Sequence, residues 1–99
     1  MSEKTLNKLD TRRKILFKQV GAKIAYYRTL REMSQAELAR RAHVSQSTLS
    51  RIERGDYENI SLSLLFDISE SLQAEAKLFL TFNELEKQMW WGALPSDNI

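Results

Sequence analysis

The chain has 99 residues, with 15 Lys/Arg against 13 Asp/Glu, a single histidine and no cysteine. That length fits one domain with a modest core. Disulfides and thiolate metal sites are excluded, and lone His43 has too few companions for a metal cluster or a Ser/His/Asp site, so no catalytic residue, metal or cofactor is expected.

The net charge of +2 conceals a split: residues 1–54 hold 13 Lys/Arg and 5 Asp/Glu, whereas residues 55–99 hold 2 and 8. One reading assigns a basic surface to a polyanion and an acidic one to protein or solvent. A chance distribution over solvated helices is the alternative. No run of about 18 apolar residues is present to span a bilayer, and MSEKTLNKLD is too polar for a signal peptide. A cytoplasmic protein with no membrane partner is expected.

In chain order, Leu9, Leu16, Val20, Ile24 and Tyr27 recur at helical spacing and predict one long amphipathic helix. It should run from near Asp10, as N-cap, to about Arg31, with Gly21 as a place for a break or bend. The basic stretch KLDTRRKILFK reads either as a DNA-contacting arm or as part of a dimer seam. Ser34 and Glu37 then form a capping-box signature, in which each side chain can satisfy an orphan amide, so a second helix should start at about Gln35. The run Ala42-His43-Val44-Ser45 shifts the apolar phase, and Ser45 can cap a third helix over 46–54 that Gly55 closes.

Leu38, Ala42, Val44, Leu49 and Ile52 are the positions that two short, steeply crossing helices would bury between them. Ala39 is small enough for the close backbone approach at their crossing. His43 falls in the turn, where a positive φ costs histidine more than glycine. Ser61 is the expected cap of a fourth helix, with Leu62, Leu65, Phe66 and Leu72 on one buried face, widened by Leu64 and Ile68. The next piece, AEAKLFLTF, alternates as a strand through Ala74, Ala76, Leu78, Leu80 and Phe82, but also fits a helix through Ala74, Leu78, Phe82 and Leu85. The strand reading is preferred.

With Leu49 and Ile52 turned inward, Gln46, Ser47, Ser50, Arg51 and Arg54 project outward from the third helix. These side chains suit a DNA major groove. Gln can pair with adenine N6/N7 and Arg with guanine O6/N7, and small hydroxyl residues allow a close approach. Ser34, Gln35, Ser45 and Thr48, at helix N-termini, can reach backbone phosphates. Arg54 adds charge there, while Arg40 and Arg41 read equally well as phosphate contacts or as a solvated face. Arg28 and Glu53 should meet where the first and third helices join, and the pair would aim Arg28 at a phosphate.

The segment SQAELARRAHVSQSTLSRIERGD resembles the helix-turn-helix of the Cro/C1 or XRE-type DNA-binding family. The likeness lies in Q-A-E-L-A, in Val44, Leu49 and Ile52, and in the closing I-E-R-G, and it covers about Gly21 to Leu72. His43 stands where the family usually has glycine. The resemblance implies that Gln35 contacts phosphate and that Gln46, Ser47, Ser50 and Arg51 read bases of double-stranded DNA. The fold it implies is all-α: a lambda-repressor-like helix-turn-helix bundle of four to five helices.

Beyond Gly55, ENISLSLLFDISESLQAEAKLFLTF and the pair Trp90-Trp91 are similar to HipB-type antitoxins. That likeness implies a homodimer paired through a short C-terminal strand bearing Leu78, Leu80 and Phe82. It also implies a HipA-type kinase toxin as partner, reached by Trp90 and Trp91. The alternatives are a tryptophan pair folded back on its own subunit and a stand-alone or phage-type XRE regulator with no toxin partner. A homodimer would set two recognition helices about 34 Å apart and read a near-palindromic operator. The expected divisions are a helical extension over 1–20, the helix-turn-helix over 21–73, a dimerisation segment over 74–91 and a flexible tail over 92–99.

Overall fold

The computed structural model describes the backbone of residues 3–91 and the side chains of residues 8–89. Among the described residues there are five α-helices, one short 3-10 turn and no strand: α1 (Glu3–Leu30), α2 (Gln35–Arg41), α3 (Gln46–Arg54), α4 (Leu62–Ser71), the 3-10 turn Ala76–Phe79 and α5 (Glu84–Trp91). The all-α bundle is as expected.

The first helix is longer than its apolar pattern suggests, beginning at Glu3 rather than near Asp10. Asp10 instead lies inside it and pairs with Arg13 and Lys14, at 3.4 and 3.2 Å. Gly21 does not break it. A Cβ there would strike the Ile52 carbonyl oxygen and lie 2.8 Å from that of Glu53. The glycine is therefore the point at which α1 crosses the end of α3, and only a hydrogen atom fits between the backbones.

Around that crossing, Val20, Ile24, Leu38, Ala39, Ala42, Leu49, Ile52, Leu65, Ile68 and Leu72 close a single core, which Phe79 and Phe82 complete. The buried face of α4 is Leu65, Ile68 and Leu72, with Leu64 partly buried; Leu62 is 80% exposed and Phe66 49% exposed, so neither belongs to the face expected of them.

Four of the connections share one device. The amide of Met33 donates to Arg28 O, that of Val44 to Ala39 O, that of Asp56 to Arg51 O and that of Ala74 to Ser69 O, at 2.9 to 3.1 Å. Each bond spans five residues over a left-handed residue, as in a Schellman ending. The left-handed residues are Glu32, His43, Gly55 and Gln73, with φ of 55°, 60°, 80° and 54°. His43 thus holds the positive φ expected of it. Arg31 ties the last of these endings to α1 by donating to the carbonyls of Leu72 and Gln73, at 2.9 and 3.2 Å.

The expected strand over 74–82 does not form. Phe79 and Phe82 are buried while Leu80 is 50% exposed. Burial therefore recurs at three residues rather than two, with Phe79 closing the 3-10 turn and Phe82 lying just beyond it. The alternation of Ala74, Ala76, Leu78, Leu80 and Phe82 was fortuitous. α5 then opens on a reciprocal cap: the Asn83 amide donates to Glu86 Oε1 at 2.9 Å and the Glu86 amide to Asn83 Oδ1 at 2.8 Å.

Candidate nucleic-acid interface

The second and third helices are both capped by serine. The Glu37 amide donates to Ser34 Oγ at 3.1 Å and the Thr48 amide to Ser45 Oγ at 3.0 Å. The capping box at Ser34 is only half made, since the Glu37 carboxylate turns to Arg40 and Arg41, at 2.8 and 2.7 Å. These two arginines, Arg40 first, hold the Glu37 carboxyl below the usual carboxylate range. Ser34 and Ser45 are thus cap residues whose oxygens already accept an amide.

Between the caps, Leu38, Leu49 and Ile52 are fully buried and set the rotation of α3 about its axis. That rotation leaves Gln46, Ser47, Arg51 and Arg54 exposed and Thr48 and Ser50 half-buried. The expected base-reading side chains therefore lie on one outward face, with the expected phosphate contacts Thr48 and Arg54 beside them.

The exposed face is braced from within. Ser45 Oγ donates to Thr48 Oγ1 at 2.8 Å and lies 3.2 Å from Ser47 Oγ. Arg54 Nη1 donates to Ser50 Oγ at 2.7 Å, while its Nε meets Asp56 Oδ2 at 3.2 Å.

A helix-turn-helix family model matches residues 24–78. The chain belongs to the helix-turn-helix family. Among curated proteins it is similar to an uncharacterized HTH-type transcriptional regulator, MJ0272, of Methanocaldococcus jannaschii. The two are 42% identical over 48 residues, which is 48% of this chain and 71% of that protein.

In this helix-turn-helix the expected Arg28–Glu53 pair is present and bidentate: Nε to Oε2 at 2.7 Å and Nη2 to Oε1 at 3.1 Å. Arg28 Nη1 also donates to Met33 O at 2.7 Å, and Gln35 Nε2 to Glu53 Oε1 at 2.8 Å. Glu53 is thus a hub that ties α1, α2 and α3 together. Its side chain is 6% exposed and that of Arg28 only 18%. Three of the five guanidinium N–H groups of Arg28 are bonded inside the protein.

Of the residues expected at a dimer seam, Phe82 is buried in the core of the single chain and Leu78 is half-buried, leaving Leu80 as the exposed one. The side chains of Trp90 and Trp91 lie outside the described residues, as does the tail over 92–99. Among the described residues no helix is long and apolar enough to cross a membrane.

Sequence reasoning missed Asp56 and Tyr57, which border the outward face of α3 through contacts with Arg51 and Arg54. The signal for them was slight: Gly55, read as a cap, also turns the chain so that the next two residues fold back along α3.

Proposed function

We propose that this protein is a sequence-specific DNA-binding transcriptional repressor that acts as a homodimer on a near-palindromic operator. The observation that carries the reading is the division of α3. Leu49 and Ile52 are fully buried, while Gln46, Ser47 and Arg51 point to solvent as one polar, partly cationic strip. A helix so divided can lie in the major groove and offer amide, hydroxyl and guanidinium groups to base edges. Thr48, Arg54 and Gln35 flank the strip as phosphate contacts. The similarity to an HTH-type transcriptional regulator supports the DNA-binding and regulatory part of this reading.

The test is binding of the full chain to duplexes selected from a random pool, measured across a salt series. Affinity should fall steeply with salt as phosphate-bound counterions are released. Arg51→Ala should cost about 1 to 3 kcal/mol and relax discrimination at one base position. A flat salt response, or an Arg51→Ala variant with an unaltered base preference, overturns the reading.

The finer reading is an antitoxin that binds a HipA-type kinase toxin and represses its own operon. Its support is the likeness of the chain beyond Gly55, and it predicts a stable complex with a co-expressed neighbouring kinase. A second reading, a stand-alone regulator without toxin partner, is favoured by the 3-10 turn found where that likeness implied a pairing strand. Co-purification with such a kinase separates the two.

A further inference from the structure

Arg51 is exposed on α3, yet its side chain is held. Nη2 donates to the Asp56 carbonyl at 3.2 Å, and the guanidinium carbon lies 5.2 Å from the centre of the Tyr57 ring. Both partners follow the left-handed turn at Gly55, whose closing bond runs from the Asp56 amide to the Arg51 carbonyl at 2.9 Å. Asp56 is therefore bonded to Arg51 twice, once through each backbone group. Tyr57, half-buried, packs against the core as well.

Arg54 is held differently, by the Asp56 carboxylate and the Ser50 hydroxyl, at 3.2 and 2.7 Å. The loop thus sorts the two arginines at the end of α3. A carboxylate holds Arg54, while an aromatic face and a carbonyl hold Arg51. The distinction matters because a bidentate contact with guanine requires a guanidinium plane presented at a fixed angle, whereas a phosphate accepts charge from many directions. An aromatic ring beside a guanidinium limits the orientations of that plane.

We infer that Tyr57 is a positioning residue for Arg51, and so sets the base preference of the reading helix without itself touching a base. This rests on Arg51 being a base reader. Removing the ring leaves the Asp56 carbonyl as the remaining tether of the two, so the guanidinium plane can turn about it, and the loss falls on discrimination at one base position rather than on every duplex alike.

The experiment measures the affinity of the full chain for its selected duplex and for single-base variants at each position. Wild type is compared with Arg51→Ala, Tyr57→Phe, Tyr57→Leu and the double variant Arg51→Ala/Tyr57→Leu. Tyr57→Leu keeps an apolar side chain against the core and removes the ring; Tyr57→Met serves the same purpose if the leucine variant does not fold. Tyr57→Leu should flatten the preference by about threefold at the one position that Arg51→Ala flattens, leave other positions unchanged, and add nothing in the Arg51→Ala background. Tyr57→Phe, which keeps the ring, should preserve the wild-type profile.

A uniform loss across all duplexes, a change at a different position, or an undiminished effect in the Arg51→Ala background overturns the inference and makes Tyr57 a packing residue only. If Arg51→Ala itself leaves the profile unchanged, the reading of Arg51 fails and the inference falls with it. The two failures differ in the profile of the Arg51→Ala single variant.

Discussion

α3 and α5 are of similar length, nine and eight residues, and both are capped, yet they are held in different ways. α3 turns Leu49 and Ile52 wholly into the core, whereas α5 leaves Leu85 67% and Met89 58% exposed. Among the described side chains, what holds α5 to α1 is polar. Gln19 Nε2 donates to Glu86 O at 3.0 Å, and Lys23 meets Glu86 Oε1 at 3.3 Å while lying 4.6 Å from the centre of the Phe82 ring. Lys23 also donates to the Thr81 carbonyl. Helices this short gain little from propensity alone, so burial decides how firmly each is held. Among the described side chains, the helix-turn-helix is a clamped unit and the C-terminal helix is pinned at a few points.

The sharpest way to break this contrast is to make the same truncation in both helices. Leu49→Ala should cost about 2 to 5 kcal/mol, since a fully buried leucine leaves a cavity. Leu85→Ala should change stability by less than about 0.5 kcal/mol. Chemical denaturation of the two variants checks this, and equal losses would erase the distinction.

The crossing of α1 over α3 is tested next. Gly21→Ala should destabilise by roughly 3 kcal/mol, because its methyl group meets backbone carbonyls that cannot rotate away. The readout is again a denaturation midpoint, and a neutral result would show that the helices separate at little cost.

A smaller effect isolates the pinned helix. Lys23→Ala removes an ion pair and a cation–aromatic contact, both largely shielded from solvent, and should cost about 1 kcal/mol. Amide exchange should accelerate over residues 84–91 and stay unchanged in α2 and α3. Faster exchange throughout would mean that the two regions open together.

The smallest expected effect is a gain. His43→Gly should stabilise the turn by roughly 0.5 to 1 kcal/mol, because glycine holds a φ of 60° without a Cβ penalty that histidine bears, less the entropy glycine loses on folding. Thermal melts of the wild type and variant measure it, and a lower melting temperature would contradict the account.

Local sequence was enough for the serine caps at Ser34, Ser45 and Ser61, the glycine end at Gly55, and the face of α3 that turns to solvent. Each depends on hydrogen bonds and apolar spacing within a few residues, so each can be read in a short window. The Arg28–Glu53 pair was also legible, because the helix-turn-helix pattern brings the ends of α1 and α3 together.

The tertiary structure alone decided the rest. Gly21 is a contact and not a break, because the backbone that fills the space beside it belongs to residues 52 and 53. The segment 74–82 follows the core, which accepts Phe79 and Phe82, and not the alternation of its own side chains. Leu62 and Phe66 lie outside because α2 and the 3-10 turn cover a different side of α4. Each of these outcomes depends on which distant surface arrives to exclude water, and no local pattern contains that information.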